Sequence, residues 1–172
     1  MAQATTTFAS IRDSITTVIE ALTPALLNRL ENKFRRCPDR RQTLEAWALT
    51  HGADICFRKF DIRTTGPVTD PEVLDPRSPT GGGVRRVTQL ATLTMAYPVQ
   101  VALYGSDDLD DMEDVIESDA VQVRDAVFSP GNVISGQVCA IVTVEPVDRG
   151  DNTVWFQRYV LEIIYYKAQT LT

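Results

Sequence analysis

VWFQRYVLEIIYY, residues 154–166, decides how this chain folds. Trp155, Tyr159, Leu161, Ile163 and Tyr165 fall on one parity, and Phe156, Val160, Ile164 and Tyr166 on the other. Side chains alternate between faces along a strand, so this segment is apolar on both sides. Such a strand belongs in the middle of a sheet, or has its second face covered by a partner. Upstream, Val138, Ala140, Val142 and Val144 line one face of a further strand, and Asp148-Arg149-Gly150-Asp151-Asn152 supplies the turn between them. The two are expected to form a hairpin.

Working outward, residues 84–97 alternate Val87, Ala91, Leu93, Met95 and Tyr97 with Thr88, Leu90, Thr92, Thr94 and Ala96, a half-buried strand ended by Pro98. Residues 54–64 read as its partner. There Ile55 and Phe57 share one parity and Phe60 and Ile62 the other, which predicts a bulge near Arg58-Lys59. Between these strands, residues 65–83 hold four prolines and four glycines with few large apolar residues. A loop this long is expected to be mobile in a free subunit and ordered by a neighbour.

Helical spacing marks two clear segments. Phe8, Ile11, Ile15, Val18, Ile19 and Leu22 give an amphipathic helix over 8–22, capped by Thr6 or Thr7. Leu109, Met112, Val115, Ile116, Ala120, Val123 and Val127 give a second, entered through Ser106-Asp107 and stopped at Ser129-Pro130-Gly131. Pro24 interrupts the first, so residues 25–36, with Leu26, Leu27, Leu30 and Phe34, read as a kinked continuation or a separate short helix. Residues 40–50, with Leu44, Trp47 and Ala48, predict another, terminated by Gly52. The expected fold is α+β: one domain over residues 1–172, with helices on a mostly antiparallel four-stranded sheet and a long Pro/Gly-rich loop.

Composition narrows the function. Apolar residues make up 44% and charged residues 23%, which is globular and neither disordered nor fibrous. No apolar run reaches the roughly 18 residues of a membrane span, and the first residues lack the pattern of a secretion signal, so we expect synthesis in the cytosol and no membrane partner. Cys37, Cys56 and Cys139 are scattered and odd in number, which argues for free thiols rather than disulfides or zinc. His51 is the only histidine and lies beside a helix-ending glycine, so a histidine-based relay or metal site is not expected. Gly81-Gly82-Gly83 lacks the following helix and lysine of a phosphate loop. We therefore expect no catalytic residue, cofactor or metal.

Charge is unevenly distributed. DDLDDMEDVIESD, residues 107–119, packs eight carboxylates into 13 residues, but its helical apolar stripe and lack of a turn glycine argue against a calcium loop and for a solvated helix face. Arg29, Lys33, Arg35, Arg36, Arg40 and Arg41, followed by Arg58, Lys59 and Arg63, form the opposite set. The net charge of -6 and the absence of a reader motif weigh against nucleic-acid binding. A head-to-tail contact between copies can instead join two unlike surfaces. The candidate interface sets Asp107, Asp108, Asp110, Asp111, Glu113 and Asp114 against Arg35, Arg36, Arg40 and Arg41.

An amphipathic helix, the strand ICFRKFDIR (55–63), a loop, RRVTQLATLTMAYPV (85–99) ending in Tyr-Pro, the helix DDLDDMEDVIESDAVQVRDAV (107–127) and the closing strands VCAIVTVEPV (138–147) and VWFQRYVLEIIYYK (154–167) together resemble the tail terminator, or tail completion, proteins of long-tailed bacteriophages. The resemblance covers most of the chain. It implies a structural virion protein, not an enzyme, that forms a ring, typically of six subunits, closing the tail tube and joining it to the head. Implied partners are further copies of the chain, the tail tube protein, a head-tail connector or stopper protein, a possible tail sheath, and genomic DNA passing through the ring without sequence-specific binding. The implied location is the tail or neck of the virion, after assembly in the host cytoplasm. Head-tail connectors and neck adaptors are similar small α/β ring proteins and form the alternative, and a DNA-binding module is the alternative of another class.

Overall fold

The computed structural model describes residues 7–23, 30–37, 44, 56–66, 84–99, 109–128, 138–148 and 154–168. Helix α1 spans Phe8–Glu20 and α2 spans Leu109–Phe128; the strands are β1 (Leu30–Arg36), β2 (Cys56–Thr64), β3 (Val84–Pro98), β4 (Val138–Val144) and β5 (Val154–Ala168). They form one sheet in the order β1-β2-β3-β5-β4.

The α1 segment starts at a reciprocal cap: the Ser10 amide donates to Thr7 Oγ1 and the Thr7 amide donates to Ser10 Oγ, both at 3.2 Å. Two amide donors that lack helical partners are thereby satisfied. Ile11, Ile15 and Ile19, four residues apart, lie on one line and are fully buried. Thr7→Ala is expected to lower stability by about 1 kcal/mol, read from the urea midpoint, with the burial of the isoleucines unchanged.

The fold is α+β as expected and three of its four ladders are antiparallel, but the sheet has five strands, not four, and is mixed. The extra strand is β1, which lies parallel to β2 with Phe34 beside Arg58 and Arg36 beside Phe60. Residues 30–36 are thus strand, not helix. Leu30 and Phe34 are four apart, and a spacing of four places two residues on one side of a strand as well as one side of a helix. The other ladders are antiparallel. The 84–97 strand pairs with β2, and β4 and β5 form the expected antiparallel pair. The ladder between β2 and β3 is regular; the register shift lies on the other edge of β2, between Leu30 and Phe34 of β1. Of residues 40–50 only Leu44 is described, packed near Ala96, Val154 and Phe156. The stretch 67–83 lies outside the described residues.

Strand β5 is interior to the sheet, between β3 and the edge strand β4, which accounts for its apolar character. Its odd residues, from Trp155 to Tyr165, join Val87, Ala91, Leu93, Met95 and Tyr97 of β3, Phe60 and Ile62 of β2, and Phe34 of β1 in the core. Both helices close this face. Helix α1 lies against β1 and α2, and α2 against β4. The even residues Phe156, Arg158, Val160, Glu162 and Ile164 sit on the other face, half-buried, beside the more exposed Leu90.

Candidate functional site

Three arrangements can do chemical or recognition work. The first lies inside the molecule. Arg58 Nε donates to Asp119 Oδ2 at 2.6 Å, and both side chains are fully buried between β2 and α2. Tyr97 Oη of β3 donates to the same oxygen at 3.3 Å. Asp119 Oδ1 and Tyr159 Oη are buried with no hydrogen-bond partner among the described residues. Burial pushes the Asp119 carboxyl up to about 6, against the opposing charge and hydrogen bond of Arg58 and the bond from Tyr97. Burial, then the nearby Asp119, drives the Tyr159 phenol well above its ordinary range, with Arg124 opposing. This group is buried and ties α2 to the sheet. Breaking it leaves a buried charge without its partner.

The second arrangement is a cleft of about 450 Å³ on the other face of the sheet, lined by residues including Asp61, Arg63, Thr92, Thr94, Phe156 and Arg158. Its ions are paired with each other. Arg158 reaches Asp148 at 2.9 Å and Glu145 at 3.8 Å, with its guanidinium 5.6 Å from the centre of the Phe156 ring, and Arg63 pairs with Asp61.

The third is the charged exterior. Glu113, Glu117, Val121 and Asp125 recur every four residues on α2, flanked by Asp114, and all are exposed. Glu113 and Glu117 are a like-charged pair four apart, which costs a helix a few tenths of a kcal/mol, while Asp125 lies 3.9 Å from Arg124. Among the candidate interface residues, Glu113 and Asp114 are exposed on this helix, and Asp110 and Asp111 occupy its first turn. Asp107 and Asp108 lie outside the described residues, as do Arg40 and Arg41. Arg35 is exposed on β1, as is Lys33. Arg36 is used internally: its guanidinium lies 3.5 Å from Asp13 and its amide donates to Glu20 Oε1 at 3.0 Å, which ties β1 to α1. Of the candidate cations, Arg36 is thus joined to α1, which itself lies against both β1 and α2.

No family model and no curated protein matches this chain.

Among the described residues, no three His, Cys, Asp or Glu side chains are arranged to hold a metal ion, and no helix is long and apolar enough to cross a membrane. Cys37 is buried and His51 lies outside the described residues. The buried Arg58–Asp119 pair is absent from the sequence reading. Its signal was there: Asp119 continues the stripe of Met112, Ile116 and Val123, and Arg58 shares parity with Phe60 and Ile62.

Proposed function

We propose that the chain is a non-catalytic structural subunit that assembles head to tail into a ring, in the role of a phage tail terminator closing the tube and joining it to the head. The acidic line on α2 carries this reading. Lys33 and Arg35 flank the core-facing Phe34 on β1 and so belong to the sheet face away from α2, which means that the two surfaces do not face each other within a subunit. Between subunits they can. Such a contact joins different patches on each copy and closes when the rotation permits.

The test is a triple reversal, Glu113→Lys, Asp114→Lys and Glu117→Lys. Each exposed pair contributes roughly 0.2 to 1 kcal/mol, so three together are expected to weaken association by about tenfold or more at low salt. Native mass measurement and imaging of annular particles read the result, and circular dichroism checks that the variant folds, since these side chains lie off the buried stripe. Assembly and salt dependence equal to the native chain would reduce the acidic line to a solvated face.

A further inference from the structure

The outer face of the sheet carries a trough whose shape follows from residue size. The register sets Arg63 of β2 opposite Thr92 of β3, and Asp61 opposite Thr94. On the other side of β3, Thr94 lies opposite Arg158 of β5 and Ala96 opposite Phe156. Short side chains along β3 thus lie between longer ones on both neighbours, since residues two apart on a strand share a face. Past β4 the chain folds back along β5: the Glu145 amide donates to the Arg158 carbonyl at 3.0 Å, and Asp148 and Phe156 exchange backbone bonds at 2.9 Å. These residues line the cleft of about 450 Å³ described above. Small-molecule sites run from about 300 to 1,000 Å³.

The polar atoms of the cleft are held in place before any ligand arrives. Asp61 Oδ1 accepts the Ile62 amide at 2.8 Å, and its other oxygen accepts from Arg63 Nε. Arg158 lies 2.9 Å from Asp148 and over the Phe156 ring. Groups fixed in this way spare a ligand part of the ordering cost of binding. Arg63, with its side chain 60% exposed, keeps its terminal N–H donors. The carboxylates of Asp61 and Glu145 offer acceptor lone pairs, and the hydroxyls of Thr92 and Thr94 serve in either role. Donors and acceptors therefore alternate around the cleft, and its two arginines balance its two carboxylates in charge. An oxyanion only accepts and an ammonium only donates, whereas a hydroxyl does both. Phe156 adds an apolar wall. We propose that this cleft binds a sugar, whose ring carries several hydroxyls beside an apolar C–H face. This site stands apart from the contacts that would close a ring of subunits.

The test titrates the full-length chain with glucose, galactose and N-acetylglucosamine, and with maltose, lactose and chitobiose, to about 20 mM, following the backbone amides of Thr92, Thr94, Phe156 and Arg158 by NMR. At least one of these sugars is expected to shift those amides saturably, with half-saturation at or below about 10 mM. A disaccharide that binds more tightly than its monosaccharide identifies the end of a glycan chain as the ligand, and equal binding identifies the free sugar. Thr92→Val with Thr94→Val keeps the branched shape suited to a strand while removing both hydroxyls, and is expected to weaken binding at least tenfold. Arg63→Ala, at an exposed side chain that no core packing depends on, is expected to weaken it independently. If none of the sugars shifts these amides, the proposal is overturned, as it is by binding that neither variant weakens. Inorganic phosphate that shifts the same amides at lower concentration than every sugar also overturns it, and assigns the cleft to oxyanions.

Discussion

Replacing Asp119 with alanine lowers the unfolding free energy by about 3 to 5 kcal/mol, the usual cost of stripping one partner from a buried ion pair. Arg58 then remains between β2 and α2 without the oxygen it meets at 2.6 Å. The urea midpoint reports the loss. Replacing both partners, Arg58→Met with Asp119→Leu, removes the buried charges together and is expected to recover most of it, because the desolvation of two ions disappears with them. A double variant as unstable as the single one would show that packing around the pair, not its charge, holds α2 on the sheet.

Stability is also expected to fall as the pH rises from about 4 to 7. Asp119 ionises at 3.8 when unfolded but at about 6 in the folded chain. Below 3.8 it is protonated in both states and its contribution is fully present. Between the two values the unfolded chain gives up its proton first, and the contribution is lost as the pH passes through about 6. A difference of about 2 pH units corresponds to about 3 kcal/mol. The Arg58 charge and the Tyr97 bond already act against burial here, so the remaining upward displacement measures how dry the site is. Urea unfolding of the native chain and of Asp119→Asn at about pH 4 and pH 7 isolates the effect: the native chain should lose about 2 kcal/mol more than the variant across that interval. Equal slopes would mean that water reaches the carboxylate.

Most elements were legible because each segment satisfied only one periodicity. Ile11, Ile15 and Ile19 fit a helix, and the strict alternation from Val87 to Tyr97 fits a strand. β1 was not legible, since Leu30 and Phe34 satisfy both, and a strand paired by only a few residues to one neighbour is decided by tertiary contact. The charged residues failed differently. Asp119 is hidden in a run of carboxylates whose density suggests solvent, although its place on the stripe points inward. Arg36 counts as a surface cation until Asp13 and Glu20 are brought beside it by the parallel strand, and no local pattern specifies that contact.

The pairing of β3 with β5 also governs the order of folding. Their ladder runs without interruption from Pro98 beside Val154 to Val84 beside Ala168, joining segments separated by all of α2 and β4. Contacts so distant along the chain are slow to find, because the intervening loop must be closed before any of them is formed. During synthesis the last strand made is one that belongs inside the sheet, between β3 and β4. Until it arrives, β3 has one edge without its strand partner and β4 has no described partner at all, so only the β1-β2-β3 part of the sheet can form. From the completion of β3 until β5 is made, a growing chain therefore carries a β3 edge without its strand partner, the state most open to pairing with a neighbouring nascent copy.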